Sequence, residues 1–168
     1  GFSLSSLAPN GMGLAAQSPS NTQAPFTWVA PKEWEELAGS GMLVATFTSR
    51  DTDPVTTTIV SLGPEAGDLR SNVVRWLGQL KLTLPENQLN NFMETIKTQQ
   101  TPSMLTYQLI DLTRLSLSAQ TQASSMKVGV LTTETATIFI KMTGTLAALE
   151  KNHEAFMSLI NSIKFNNE

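Results

Sequence analysis

The chain of 168 residues has no cysteine, which excludes disulfides, thiolate nucleophiles and cysteine-ligated zinc. Its single histidine, His153, rules out metal sites built on a pair of imidazoles and leaves one residue for any histidine-dependent triad. Charged residues amount to 15% and sum to −3 with no basic patch, so nucleic acid is not an expected partner. No apolar run approaches the about 18 residues a membrane-crossing helix needs, so no transmembrane segment is expected. Gly-x-Ser-x-Gly elbows, glycine-rich phosphate loops and His-Glu-x-x-His patterns are all missing from the sequence. No catalytic residue, metal or cofactor is therefore expected.

What is there describes a chain with its own core. Hydrophobic residues make up 40%, and a chain of this length can bury about two thirds of its unfolded surface, so neither metal nor disulfide is needed for stability. Residues 1 to 31 carry no charged side chain and are rich in Ser, Pro, Asn, Gln, Ala and Gly. Residues 1–25 read as a neutral tether or docked extension, and 26–168 as a single folded domain. The chain opens on Gly1, which fits a processed N-terminus with a signal peptide removed before it and room for a lipid anchor upstream.

Apolar periodicity then sets the order of elements. Leu43, Ala45 and Phe47 alternate with Val44, Thr46 and Thr48 in a strand from Met42 to Ser49. The turn Arg50-Asp51-Thr52-Asp53-Pro54 joins it to Val55–Leu62 as a hairpin, and turn chemistry accounts for both aspartates. Asp68 offers an N-cap to a helix from about Leu69, and Pro85 opens a second helix with Leu89, Phe92, Met93 and Ile96 at i, i+3, i+4, i+7. Four further strands follow at Leu105–Leu109, Leu115–Ala119, Met126–Val130 and Ile138–Met142, the last stopped by Gly144. A closing helix of about 15 residues carries Leu149, His153, Phe156, Ile160 and Ile163. Short links imply antiparallel pairing, and the sum is an α+β layered domain: helices packed over an antiparallel sheet of about six strands. Burial is expected for at least one of Trp28 and Trp34, over a sheet edge or in a partner contact.

The first helix carries the sharpest candidates. Asn72, Arg75 and Gln79 form a polar stripe beside the apolar face of Leu69, Val73, Trp76 and Leu80. A guanidinium and two amides on successive turns can donate to a carboxylate, a phosphate or a partner's backbone; equally, they can tie the helix to neighbouring loops. Trp76 would fix the helix beneath them. Lys141 shares a strand face with Phe139, opposite Ile138, Ile140 and Met142, so helices on both sheet faces would force its ammonium to pair or to reach water. His153, at helical spacing with Leu149, Phe156 and Ile160, reads as a structural histidine.

Several segments carry a resemblance. Ala66-Gly67-Asp68 through Asn72-Val73-Val74-Arg75-Trp76-Leu77-Gly78-Gln79 resembles the AGG-x-x-x-NVNRWRxQ signature of a family of bacterial envelope lipoproteins of unknown function. Gly41–Phe47, Ile138–Gly144 (similar to the family's TWFFKLTG) and the ending Phe156–Phe165 agree with it in order. Asp68, Val74, Leu77 and Ile138 depart from the pattern. That family is similar in fold to PsbP and Mog, α-β-α sandwiches around an antiparallel sheet that work by docking to partners. The resemblance implies a periplasmic or outer-envelope, membrane-tethered protein.

The resulting expectation is a non-enzymatic envelope module that docks another envelope component through Asn72, Arg75, Trp76 and Gln79. The alternative is a small anionic ligand gripped by Arg75 and Lys141, and a hydrolase ranks below both.

Overall fold

Helices cover both faces of one antiparallel sheet. The computed structural model describes residues 25–63, 66–115 and 124–165. The neutral segment 1–25 lies outside them except for Pro25. Seven strands, β2 (Trp34–Ser40), β3 (Leu43–Ser49), β4 (Thr56–Leu62), β5 (Thr98–Gln100), β6 (Thr106–Asp111), β7 (Ser124–Thr132) and β8 (Thr137–Thr145), lie in the order β2-β3-β4-β8-β7-β6-β5. Every neighbouring pair is antiparallel. A two-stranded ribbon of β1 (Phe26–Thr27) and β9 (Lys164–Phe165) joins the two ends of the described chain.

The side-chain period of two sorts each strand between two cores. On β8, Ile138, Ile140 and Met142 pack with Phe47, Ile59 and Leu131 against α3 (Leu146–Lys151) and α4 (His153–Asn161), whose Leu149, Phe156 and Ile160 are fully buried. Phe139, with Met126, Val128 and Val130 of β7, faces the other way onto α1 (Leu69–Gln79) and α2 (Glu86–Glu94) through Val73, Trp76, Leu89 and Phe92. Gly129 lets α4 lie close to β7: a Cβ there would come within 2.6 Å of the Ile160 Cδ1.

Several sequence expectations meet the structure in detail. Asp68 caps α1, its carboxylate accepting from the Ser71 amide at 3.1 Å. Asp51 and Asp53 act in the turn and at its neighbours: Asp51 pairs with Lys151 at 3.0 Å, and Asp53 accepts from the Thr145 hydroxyl at 2.7 Å. Trp28 and Trp34 are both buried. The expected six strands become seven, because the exposed edges β2 and β5 carry no apolar alternation. The segment Leu115–Ala119 lies outside the described residues except for Leu115, which ends a 3-10 turn, Leu112–Leu115. Gly144 does not stop β8, which runs through to Thr145; the glycine leaves room for Val55, whose Cγ1 would stand 3.1 Å from an added Cβ.

The closing helix is two helices. Asn152 breaks it, and the buried Asn152 amide explains how: it accepts from the Trp34 indole at 3.0 Å and donates to the Ala148 carbonyl at 2.9 Å. A side chain holding both an edge strand and a helix terminus substitutes for the missing helical continuity. Asn152→Ala would orphan the buried indole N–H and is expected to cost about 1–3 kcal/mol. Urea unfolding of the variant beside wild type measures it.

Candidate functional site: a cationic cleft between helix and sheet

Trp76 is the residue from which the site is built. Its ring, 2% exposed, makes a T-shaped contact with Phe139, centroids 5.3 Å apart and planes at 87°. That is the favoured aromatic geometry, positive edge toward negative face. With Trp76 pinned, the neighbouring turns of α1 place Arg75 and Gln79 along the margin of the contact, over β4 and β8.

A cleft of about 140 Å³ opens there, lined by Arg75, Trp76 and Gln79 from α1, Thr58 from β4, and Phe139 and Lys141 from β8. Lys141 lies opposite Thr58 in the sheet register. Its ammonium donates to the Gln79 Oε1 at 3.1 Å, spanning from sheet to helix. The Arg75 guanidinium lies 5.9 Å from the centre of the Trp76 ring, so one face of its charge rests on an aromatic π-system. Among the described residues, no carboxylate lines the cleft. Partial burial, and then the field of Arg75, hold the Lys141 ammonium below the usual lysine pKa of 10.5.

Of the residues the sequence singles out, Arg75, Trp76, Gln79 and Lys141 are brought together. Asn72 is not. It is 3% exposed, and its amide donates to the Ala66 carbonyl at 3.2 Å, closing the loop before α1. The tethering reading of the stripe therefore holds for Asn72, while Arg75 and Gln79 remain at the rim. Arg75 and Gln79 are exposed at the rim, whereas Asn72 lies one turn before the buried Trp76 and within reach of the Ala66 carbonyl.

A second polar group lies on the opposite sheet face. Lys127, in the middle of β7 with its side chain 9% exposed, meets His153 Nδ1 at 2.9 Å and lies 3.9 Å from Asp111, its cross-strand partner. A hollow of about 600 Å³ beside them is bordered by Thr113, Leu146, Glu150 and Glu154. The signal for it was the lysine within the apolar run Met126 to Leu131; the partner could not be read because Asp111 belongs to another strand.

The architecture is that of a PsbP-like α+β sandwich. It is similar to the solution structure of cyanobacterial PsbP (CyanoP) from Synechocystis sp. PCC 6803, with a TM-score of 0.51 and 12% sequence identity over 93% of this chain and 96% of that one. At that identity the likeness is one of fold. No family model and no curated protein matches the chain. Among the described residues no helix is long and apolar enough to cross a membrane.

The cleft's electrostatics can be read through Lys141. Arg75→Gln removes one cause of its lowered pKa and leaves burial, so the Lys141 pKa is expected to rise part of the way toward 10.5. The linked stability follows. A lowered folded-state pKa penalises the ammonium in the native protein at neutral pH and is relieved as pH climbs through that pKa toward 10.5, so stability rises with pH in this window, less steeply in the variant. NMR titration of the Lys141 side chain checks the shift.

Proposed function

We propose that the protein is a non-enzymatic module of the bacterial cell envelope that docks another envelope component at the α1–sheet cleft. The observation that carries this reading is the cleft's composition and size. Among the described residues, two cations and an amide converge on a space that no carboxylate lines, framed by two packed aromatic rings. Its volume of about 140 Å³ is well below the about 300–1,000 Å³ of pockets that enclose small molecules. A space of that size takes one protruding group of a partner surface. The uncharged stretch of residues 1–25 suits a tether, and the resemblance of the segment around Trp76 to envelope lipoproteins supports a periplasmic or outer-envelope place of work.

A second reading is favoured by one specific feature: Arg75 and Lys141 face the same cleft and repel each other. A free small anion would relieve that repulsion as well as a partner's acidic group does. Removal of a guanidinium from a carboxylate-binding site leaves a desolvated charge unpaired on the partner, so the loss should be large.

Affinity capture from an envelope fraction, with wild type beside an Arg75→Ala, Gln79→Ala double variant, separates the readings. The docking account expects a defined partner retained by wild type and lost by the variant while the thermal melting points stay close. A partner held equally by both would remove the cleft from the account. A thermal shift induced by acetate or phosphate that vanishes in the variant, with no partner captured, would establish the small-anion reading in its place.

A further inference from the structure

The Lys127–His153 contact has a consequence apart from the cleft. A lysine ammonium has donors only, so at 2.9 Å the imidazole Nδ1 must accept, which makes His153 neutral with its proton on Nε2. Lys127 has little recourse elsewhere. Asp111 is 3.9 Å away, beyond hydrogen-bond reach, and its other oxygen accepts from the Thr113 amide at 3.1 Å. His153 is also the first residue of α4, directly after the break at Asn152. A cation there would face the positive end of the helix dipole. The hollow of about 600 Å³ alongside gives water and a displaced ring somewhere to go.

We propose that Lys127 and His153 form an acid-released latch: protonation of His153 removes the acceptor from a buried ammonium, sets two cations in contact, and frees the first turn of α4 from β7. The charged and titratable groups around the imidazole are Lys127 from β7, Asp111 from β6, Glu150 from α3 and Glu154 from α4. Asp111 and Glu154 favour the imidazolium; burial first and Lys127 next oppose it and win, so the His153 pKa lies below its ordinary 6.5. The sign is then fixed. The unfolded or opened chain binds the proton more readily, so stability is fully present above pH 6.5 and is lost as pH falls from there through the folded-state value. The rest of α4 stays seated through Phe156, Leu159 and Ile160, and α3 is held by its Thr145 cap, so the opening is confined to the joint.

Because His153 is the chain's single histidine, its NMR titration is unambiguous. Glu36, whose carboxyl is raised by burial, changes stability in the opposite direction as pH falls and cannot mimic the effect. The test is exchange of the Phe156 amide, which donates to the Asn152 carbonyl at 3.0 Å across the first turn of α4, corrected for intrinsic rate, between about pH 7.5 and pH 5 in wild type and His153→Gln, whose amide oxygen can accept from Lys127 but does not titrate. The latch requires His153 to titrate below 6.5 as an Nε2–H tautomer. It also requires a loss of protection in wild type of up to about tenfold for each unit of that depression, and none in His153→Gln. Lys127→Met should raise the His153 pKa. Titration at or above 6.5, or an equal loss of protection in His153→Gln, overturns the proposal.

Discussion

The T-shaped contact between Trp76 and Phe139 is the constraint on which the cationic face depends. It joins the later part of α1 to the first half of β8, and from those two positions the rest follows by covalent geometry. Arg75 precedes the indole by one residue, Gln79 follows it by three, and Lys141 is the next side chain on the same strand face as Phe139. A helix that packed elsewhere would separate Gln79 from Lys141 and close or dissolve the cleft. The aromatic geometry contributes about 0.5–1.5 kcal/mol beyond simple burial. That is enough to favour one seating of the helix over its neighbours.

The two sheet faces handle lysine in different ways. Lys127 is more deeply buried, and it is offset by a cross-strand carboxylate and an imidazole. Lys141 is half-buried beside a second cation and has a neutral amide as its partner. A folded chain tolerates the first arrangement because the charge is compensated internally. The second leaves positive potential pointing outward into a concavity, on a protein whose net charge is −3. A concavity lined by one sign of charge raises the local concentration of anions.

Much of this was legible in the sequence where burial and periodicity coincide. The β3–β4 hairpin, α1 with its Asp68 cap, α2, β7, β8 and the packing of helices over an antiparallel sheet follow from apolar spacing and turn residues, because each of those elements has one face that must be buried; helices on both faces were implied by the family resemblance. The edge strand Trp34–Ser40 did not announce itself: Glu35, Glu36, Leu37 and Ala38 are good helix formers, and an exposed edge needs no alternation. The break at Asn152 depends on Trp34, more than a hundred residues away, so no local signal could mark it. Among the site residues, the convergence of Arg75, Gln79, Trp76 and Lys141 was foreshadowed by helical and strand registers taken separately. The departure of Asn72 from that group reflects its bond to the Ala66 carbonyl, a contact with the loop before α1 that helical register alone does not place.

The most direct examination of the account is a double-mutant cycle on Trp76→Leu and Phe139→Leu, read by urea unfolding. If the edge-to-face contact seats α1, the two losses will be non-additive by about 0.5–1.5 kcal/mol. Strict additivity would mean that the rings do not act on each other, and that something other than this contact holds the cationic residues in place.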